Sequence, residues 1–321
     1  MSKQPSIDRL DQAISRILTS PDARPEPADA ELADAELMEL LMMARDLREL
    51  PSPAFKAGLR ADLERKAQMS TKTVVFREGF RTVTPYLVLA DPGYPDFLKN
   101  VFGAVETERT TMGPDRFHAE FRIGDSMLMI GVGSGRTMPG GLQLYVPDAD
   151  EVFKRAIEAG CRELEPMVDA HWEPVRFGCV QDPAGNDWVI STHRGNSYIP
   201  EGRHALSASL AAAGAARLIE FMKQAFDAKE VQRYEWPENG LYASMRIGDS
   251  VIGVSEAGNH EWMQATPSMI YLYVPDCDAL YQQALRAGAT SLSAPTNQSY
   301  GDRSAGVTDA WGNMWYMATP Q

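Results

Sequence analysis

The sequence predicts an α+β protein in which a helical segment (residues 1–70) precedes two copies of one unit (71–200 and 201–321), each copy being two βαβββ halves. Three observations predict it. Short motifs recur at a nearly constant spacing, the mark of a duplication. Runs of four to eight residues alternate apolar and polar side chains with period two, as half-buried strands do. Between them, apolar residues at helical spacing end at Gly103, Gly160 and Gly288, as C-capped helices do.

The repeat is explicit. Phe102-Gly103-Ala104 recurs as Phe226-Asp227-Ala228, and Arg122-Ile123-Gly124-Asp125-Ser126 as Arg246-Ile247-Gly248-Asp249-Ser250, both 124 residues on. Leu144-Tyr145-Val146-Pro147-Asp148 recurs as Leu272-Tyr273-Val274-Pro275-Asp276, and Ala159-Gly160 as Ala287-Gly288, both 128 residues on. Asp182-Pro183-Ala184-Gly185-Asn186 recurs as Asp309-Ala310-Trp311-Gly312-Asn313 at 127. The spacing drifts by only a few residues, as loop-length differences would cause.

Taken in order, Ile7, Leu10, Ile14, Ile17 and Leu18 form a first helical stripe stopped by Ser20-Pro21. Leu32, Leu37, Leu40, Leu41, Leu47 and Leu50 form a second, stopped by Pro51-Ser52-Pro53, and Phe55, Leu59 and Leu63 a third. Such leucine faces suit packing on the main body, self-association or docking of a protein partner. In the first copy, strands are expected at 83–89, 118–123, 127–130, 142–146, 175–180 and 187–191. Helices are expected at 94–101 and 150–159, the second opened by Pro147-Asp148.

Net charge is −13 and the acidity is spread along the chain, which excludes nucleic acid and anionic membrane as partners, since each needs a positive surface. It is compatible with a cationic small ligand. No apolar run approaches a membrane span, and the N-terminus lacks signal-peptide order. Three cysteines without CxxC spacing fit a reducing, cytoplasmic compartment rather than a disulfide framework. Cys161 and Cys179 read as packing residues, whereas Cys277 opens a helix, where a thiolate is favoured.

The order βαβββ, the signature VPDxDxxxxxAxxAG (146–160 and 274–288) and the closing D-x-x-G-N-x-W (182–188 and 309–315) resemble the vicinal oxygen chelate superfamily of glyoxalase I, bleomycin-resistance and extradiol-dioxygenase proteins. The motifs IGDS and Tyr300-Gly301-Asp302-Arg303 are closest to its PhnB-like branch. The resemblance covers residues 82–320. It implies that the halves of each copy curl into a cupped mixed sheet, with helices outside and a ligand cleft within.

Strand alternation indicates which face lines the cup. Leu142, Leu144 and Val146 oppose Gln143 and Tyr145; Ile270, Leu272 and Val274 oppose Tyr271 and Tyr273; Ala119, Phe121 and Ile123 oppose His118, Glu120 and Arg122. A solvated sheet also alternates in this way. The tyrosines tip the reading toward a ligand cup, because Tyr86, Tyr145, Tyr242, Tyr271, Tyr273 and Tyr316 all fall on the polar face, where rings stack on a ligand. Trp172, Tyr300 and Trp311, on loops, are expected at the rims, and Trp188 and Trp315 in the core.

Metal-dependent relatives carry His, Gln or Glu on the first, middle and last strands. The matching positions are near Thr84 and Ala208, Gly141 or Leu142, Met269 or Ile270, and Val189 and Tyr316, none of them such a ligand. The expectation is therefore a small-molecule binding protein with no metal or other cofactor. One alternative is a metal-dependent lyase, isomerase or dioxygenase with a divalent ion in the first copy, on His118, Glu120 and His193 near His171. Another is a ligand-sensing regulator that docks partners through its N-terminal helices.

Overall fold

The computed structural model describes residues 77, 79–237, 240–258 and 263–321. The three helices expected within residues 1–70, and the docking role expected of them, lie outside the described residues. The first copy runs β1 (Val83–Leu89), α1 (Tyr94–Phe102), β2 (Val105–Gly113), β3 (Arg116–Ile123), β4 (Ser126–Val132), β5 (Gly141–Tyr145), α2 (Ala149–Glu158), β6 (Arg162–Asp169), β7 (Val175–Gln181) and β8 (Asp187–His193). The second repeats it as β9 (Leu206–Ala212), α3 (Ala215–Phe226), β10 (Lys229–Trp236), β11 (Gly240–Ile247), β12 (Ser250–Glu256), β13 (Met269–Tyr273), α4 (Cys277–Arg286), β14 (Thr290–Asn297), β15 (Asp302–Thr308) and β16 (Met314–Pro320). Among the described residues no helix is long and apolar enough to cross a membrane.

Each copy has its own hydrophobic core beneath its own pair of helices. Leu98, Phe102, Val152, Phe153 and Trp188 anchor one, with Phe102 stacked on Trp188 at 4.0 Å between ring centroids. Leu218, Met222, Tyr281, Phe226 and Trp315 anchor the other. The sheets do not follow the same division. One sheet has the order β14-β15-β16-β13-β1-β4-β3-β2 and the other β10-β11-β12-β9-β5-β8-β7-β6. β1 pairs antiparallel with β13 from Val83↔Leu272 to Tyr86↔Met269, and β5 with β9 from Gly141↔Ser209 to Leu144↔Leu206. Each cup is thus shared between the copies, which corrects the expectation that each copy closes a cup of its own. Alternation fixes which face of a strand is apolar but not which half-module lies beside it, and either pairing buries the same faces.

The IGDS turns hold this exchange together. Thr82 and Val83, entering β1, donate their backbone N–H groups to Asp249 Oδ1 (2.9 Å) and Ser250 Oγ (3.0 Å). Ala205 and Leu206, entering β9, donate theirs to Asp125 Oδ1 (2.8 Å) and Ser126 Oγ (3.1 Å). Burial disfavours charge on Asp125 and Asp249, but the backbone and side-chain donors outweigh it and hold both carboxyls below their ordinary range. Gly124 and Gly248 have φ of 59° and 57°, and a Cβ on Gly124 would lie 2.6 Å from the Ala205 side chain. Glycine serves there for the turn and for the approach of the other copy.

The other shared motifs are structural as well. Asp148 and Asp276 cap α2 and α4 by accepting the N–H of Glu151 and Ala279. Asp182 is buried and accepts from the Ala184 and Asn186 backbones, Asn186 Nδ2, Trp188 Nε1 and the Tyr94 hydroxyl. Asp309 repeats the arrangement with Trp311, Asn313 and Trp315. Removing one such acceptor strands several buried donors at about 1–3 kcal/mol each. Asp182→Ala is accordingly expected to lower the unfolding free energy by about 3 kcal/mol or more, read from the midpoint of a urea titration followed by tryptophan fluorescence.

Candidate functional site

The faces opposite the cores line two cups of different character. In the first sheet, Tyr86 and Thr84 of β1 share the inner face with Met127 and Met129 of β4 and with His118 and Glu120 of β3. Across the junction Met269, Tyr271 and Tyr273 of β13, Met314 and Tyr316 of β16 and Asp302 of β15 continue it. The Tyr86 ring stacks on His118 (centroids 5.6 Å, 26° between planes), and its hydroxyl lies 3.2 Å from His118 Nδ1. Gly131 gives this ring its room, since a Cβ there would stand 2.6 Å from the Tyr86 hydroxyl oxygen. Tyr271 and Tyr316 are nearly parallel, 9° apart with centroids at 6.3 Å, and the Tyr271 hydroxyl donates to Asp302 Oδ2 at 3.4 Å.

Most of this cup is filled by its own side chains. Met127, Met129, Met269 and Met314 are all buried there, as is Thr84, whose hydroxyl has no hydrogen-bond partner. Burial pushes Tyr86 and Tyr273 up to about 12, raises Tyr271 and Tyr316 as well, and raises the Asp302 carboxyl. Glu120 is only 3% exposed and is paired with Arg77, whose Nη1 is 2.5 Å from Glu120 Oε1.

The second sheet carries small residues at the equivalent places. The registers of β1 on β4 and β9 on β12 set Ser209 opposite Gly253 where the first sheet has Tyr86 opposite Met129. Gly141 and Gln143 stand for Met269 and Tyr271, and Val189 for Tyr316. Ser207, Ser209, Gly141, Gln143 and Val189 all retain solvent exposure although they lie on central strands, so this floor is open. Polar groups converge above it. Arg203 donates to Ser244 Oγ (2.7 Å) and Gln232 Oε1 (3.1 Å), beside Tyr145 and Tyr242. Gln143 Nε2 donates to Ser191 Oγ (2.9 Å), and the Tyr234 hydroxyl donates to Glu173 Oε1 (3.0 Å) while its ring stacks on Tyr242. Burial raises the Tyr145 hydroxyl, and it lifts the Asp187 carboxyl at the edge of the cup to about 6.

The residues expected to share a cup within each copy are thereby regrouped across the copies. Tyr86, His118, Glu120, Tyr271, Tyr273 and Tyr316 lie in the first cup, and Gln143, Tyr145 and Tyr242 in the second. Tyr300 sits at the first rim, two-thirds exposed, and Trp172 at the second, packed on Phe177 and His171. Trp311 departs from expectation. Its ring faces Phe221 of α3 and its Nε1 donates to Ala213 O, so it seals the helical layer instead of rimming a cup.

The alternative metal set is not assembled. His118 and Glu120 stay together (3.5 Å), but His193 belongs to the other sheet, where its Nδ1 lies 2.7 Å from Ser197 O. Among the described residues no three His, Cys, Asp or Glu side chains converge on one point. The positions that hold metal in relatives do not fit either: Thr84, Met269 and Tyr316 face one cup, Gly141 and Val189 the other, while Ala208, Leu142 and Ile270 are turned into the cores. Burial pushes the Cys161 and Cys277 thiols up to about 12 and about 11 and raises Cys179 too, so Cys277 is protonated near neutrality despite its helix terminus. Sequence reading missed Arg77, Arg203 and Asp302. Parity along β15 marks Asp302 as inward; Arg77 and Arg203 precede strands and carry no periodic signal.

Comparison with known proteins agrees with this geometry. The family description "Glyoxalase/Bleomycin resistance protein/Dioxygenase superfamily" matches residues 204–317. Uncharacterized proteins of Mycobacterium bovis and Mycobacterium tuberculosis are 36% identical over 126 residues, covering 36% of this chain and 83% and 74% of theirs. Glyoxalase I from Zea mays superposes with a TM-score of 0.59 at 14% identity over 74% of this chain and 92% of its own. A putative dioxygenase from Bacillus subtilis superposes with 0.52 at 15% identity over 74% and 84%. At these identities the two structures establish the fold alone.

The raised tyrosines carry a pH consequence. A tyrosine of ordinary value 10 that titrates near 12 when folded favours the neutral form, so its stabilisation is complete below pH 10 and is lost as pH rises toward 12. Unfolding midpoints are expected to fall steeply across that window, and Tyr86→Phe should flatten the fall.

Proposed function

The chain belongs to the glyoxalase/bleomycin resistance protein/dioxygenase superfamily, and from that premise we propose that it binds a small aromatic molecule in the cup of the second sheet, without the family's usual metal site. One observation carries the reading: Ser209, Gly141, Gln143 and Val189 keep solvent exposure on the floor of that cup, where Met269 and Tyr271 are buried in the first. An apolar-to-neutral hollow with a few convergent polar groups is the general form of a small-molecule site. Tyr242 and Trp172 offer faces for stacking, Arg203 and Gln143 offer donors, and Asp187 offers a carboxyl that changes charge near pH 6. The IGDS and YGDR motifs support a reading nearest the PhnB-like branch, and three buried, unpaired thiols support a reducing, cytoplasmic compartment.

No metal step is derived, because the inward positions lack ligating side chains. What these residues do is bind: the aromatic rings sandwich a planar ligand, Arg203 anchors an acceptor oxygen, and the serine floor accepts whichever donors it presents.

The test is a thermal-shift screen of aromatic compounds, anionic, neutral and cationic, followed by titration of any hit. Tyr145→Ala should weaken binding about tenfold, the worth of a lost ring contact and hydrogen bond, while the fold survives. Gly253→Met, which installs the side chain that occupies the equivalent place in the first cup, should abolish binding and leave the melting temperature unchanged or higher. A screen in which no aromatic compound shifts the melt, or in which no hit loses affinity on Gly253→Met, would overturn the proposal.

A further inference from the structure

The first cup is closed by its own side chains, yet its chemistry is not that of an ordinary core. Two carboxylates, Glu120 and Asp302, are 3% and 9% exposed on one inner face walled by tyrosine rings. Burying carboxylates in such a place is costly unless a cation accompanies them. The accompanying cation is Arg77, and it comes from outside the cup. It precedes β1 and belongs to no strand of the sheet. Its guanidinium lies 4.8 Å above the Phe80 ring, beside Tyr273, with Nη1 2.5 Å from Glu120 Oε1 and Nη2 2.5 Å from Glu108 Oε2. The side chain is still 36% exposed, so it enters from the solvent side as a guest does.

A second feature is independent of the acidic groups. Thr84 Oγ1, on the inner face of β1 and directly across from Tyr271 in register, is buried with no hydrogen-bond partner. A hydroxyl left unsatisfied costs about 1–3 kcal/mol, which a ligand donor or acceptor reaching it would recover. Carboxylates, aromatic faces and an idle hydroxyl together are complementary to a planar organic cation: the fork of an amidinium or guanidinium pairs with a carboxylate while its plane lies on the rings.

We propose that the cup of the first sheet is a binding site for planar organic cations of the amidinium or guanidinium class, and that Arg77 is its resident occupant, displaced when such a ligand enters. Arg77 keeps Glu108, which is half exposed, as a partner after leaving Glu120. This site is separate from the second cup and stands or falls independently of it.

Benzamidinium and its neutral, isosteric counterpart benzamide test the proposal by calorimetric titration of the full chain and of Arg77→Gln and Glu120→Gln. Benzamidinium is expected to bind the native chain weakly and Arg77→Gln about tenfold more tightly, since it no longer competes with the tethered guanidinium. It should lose at least tenfold on Glu120→Gln, whereas any binding of benzamide should be the same in all three. Melting curves guard against a merely destabilised variant: benzamidinium should raise the melting temperature of Arg77→Gln more than that of the native chain. Benzamide binding that follows Arg77→Gln and Glu120→Gln as benzamidinium does, unchanged or weaker binding of benzamidinium to Arg77→Gln, or its full binding by Glu120→Gln would each overturn it.

Discussion

The constraint on which the rest depends is that hydrophobic cores and cups are divided differently along the chain. Each core is built from one copy, under that copy's two helices, with a single residue of the other (Val83 in one, Leu206 in the other), whereas each sheet is completed by a half-module from the other copy. Four backbone N–H groups entering β1 and β9 must find acceptors at the seam, and the Asp-Ser pairs of the opposite IGDS turns supply them. A buried N–H without a partner is expensive, so these turns fix where the copies meet and hence which side chains share a cup. The same seam sets His204 between the Asp125 carboxylate and the Asp249 backbone carbonyl, 2.8 and 3.1 Å from its ring nitrogens.

Because of that division, duplication does not yield two equal sites. Each cup takes its walls from unlike halves, and substitutions accumulated in either copy alter both cups differently. In the first, methionine and tyrosine fill the floor, and the residual polarity is a carboxylate pair countered by Arg77. In the second, serine and glycine leave the floor open beneath Arg203, Tyr145 and Tyr242. Side-chain volume separates them along the floor: Tyr86, Met129, Met269 and Tyr316 in one cup stand where Ser209, Gly253, Gly141 and Val189 stand in the other.

The most conspicuous sequence signals turned out to build scaffold. The D-x-x-G-N-x-W and VPD motifs are buried acceptors and helix caps, recognisable because satisfying several fixed N–H groups demands the same residue at the same offset in every copy. Arg176 on Asp150 and Arg303 on Asp278 tie β7 and β15 to their helices in the same repeated way. Cup residues obey no such repeat, which is why Glu120 matches Ser244 and Tyr86 matches Ser209.

Periodicity made β1, β3, β4, β5, β7 and β8 and their helices legible, because each has one face that must avoid water. The edge strands β2, β6, β10 and β14 are mostly exposed and gave little pattern. Alternation also determined the facing of Tyr86, Glu120, Tyr145 and Tyr271, since a side chain's face follows from its count along a strand. What only the tertiary structure decided was company: that Glu120 shares a cup with Tyr273 and Asp302 and not with Tyr145 or His193, that Arg77 reaches into the first cup, and that Trp311 packs on α3. Strand partners and loop trajectories depend on contacts between residues far apart in the chain, and two pairings that bury the same faces are indistinguishable until the chain closes on itself.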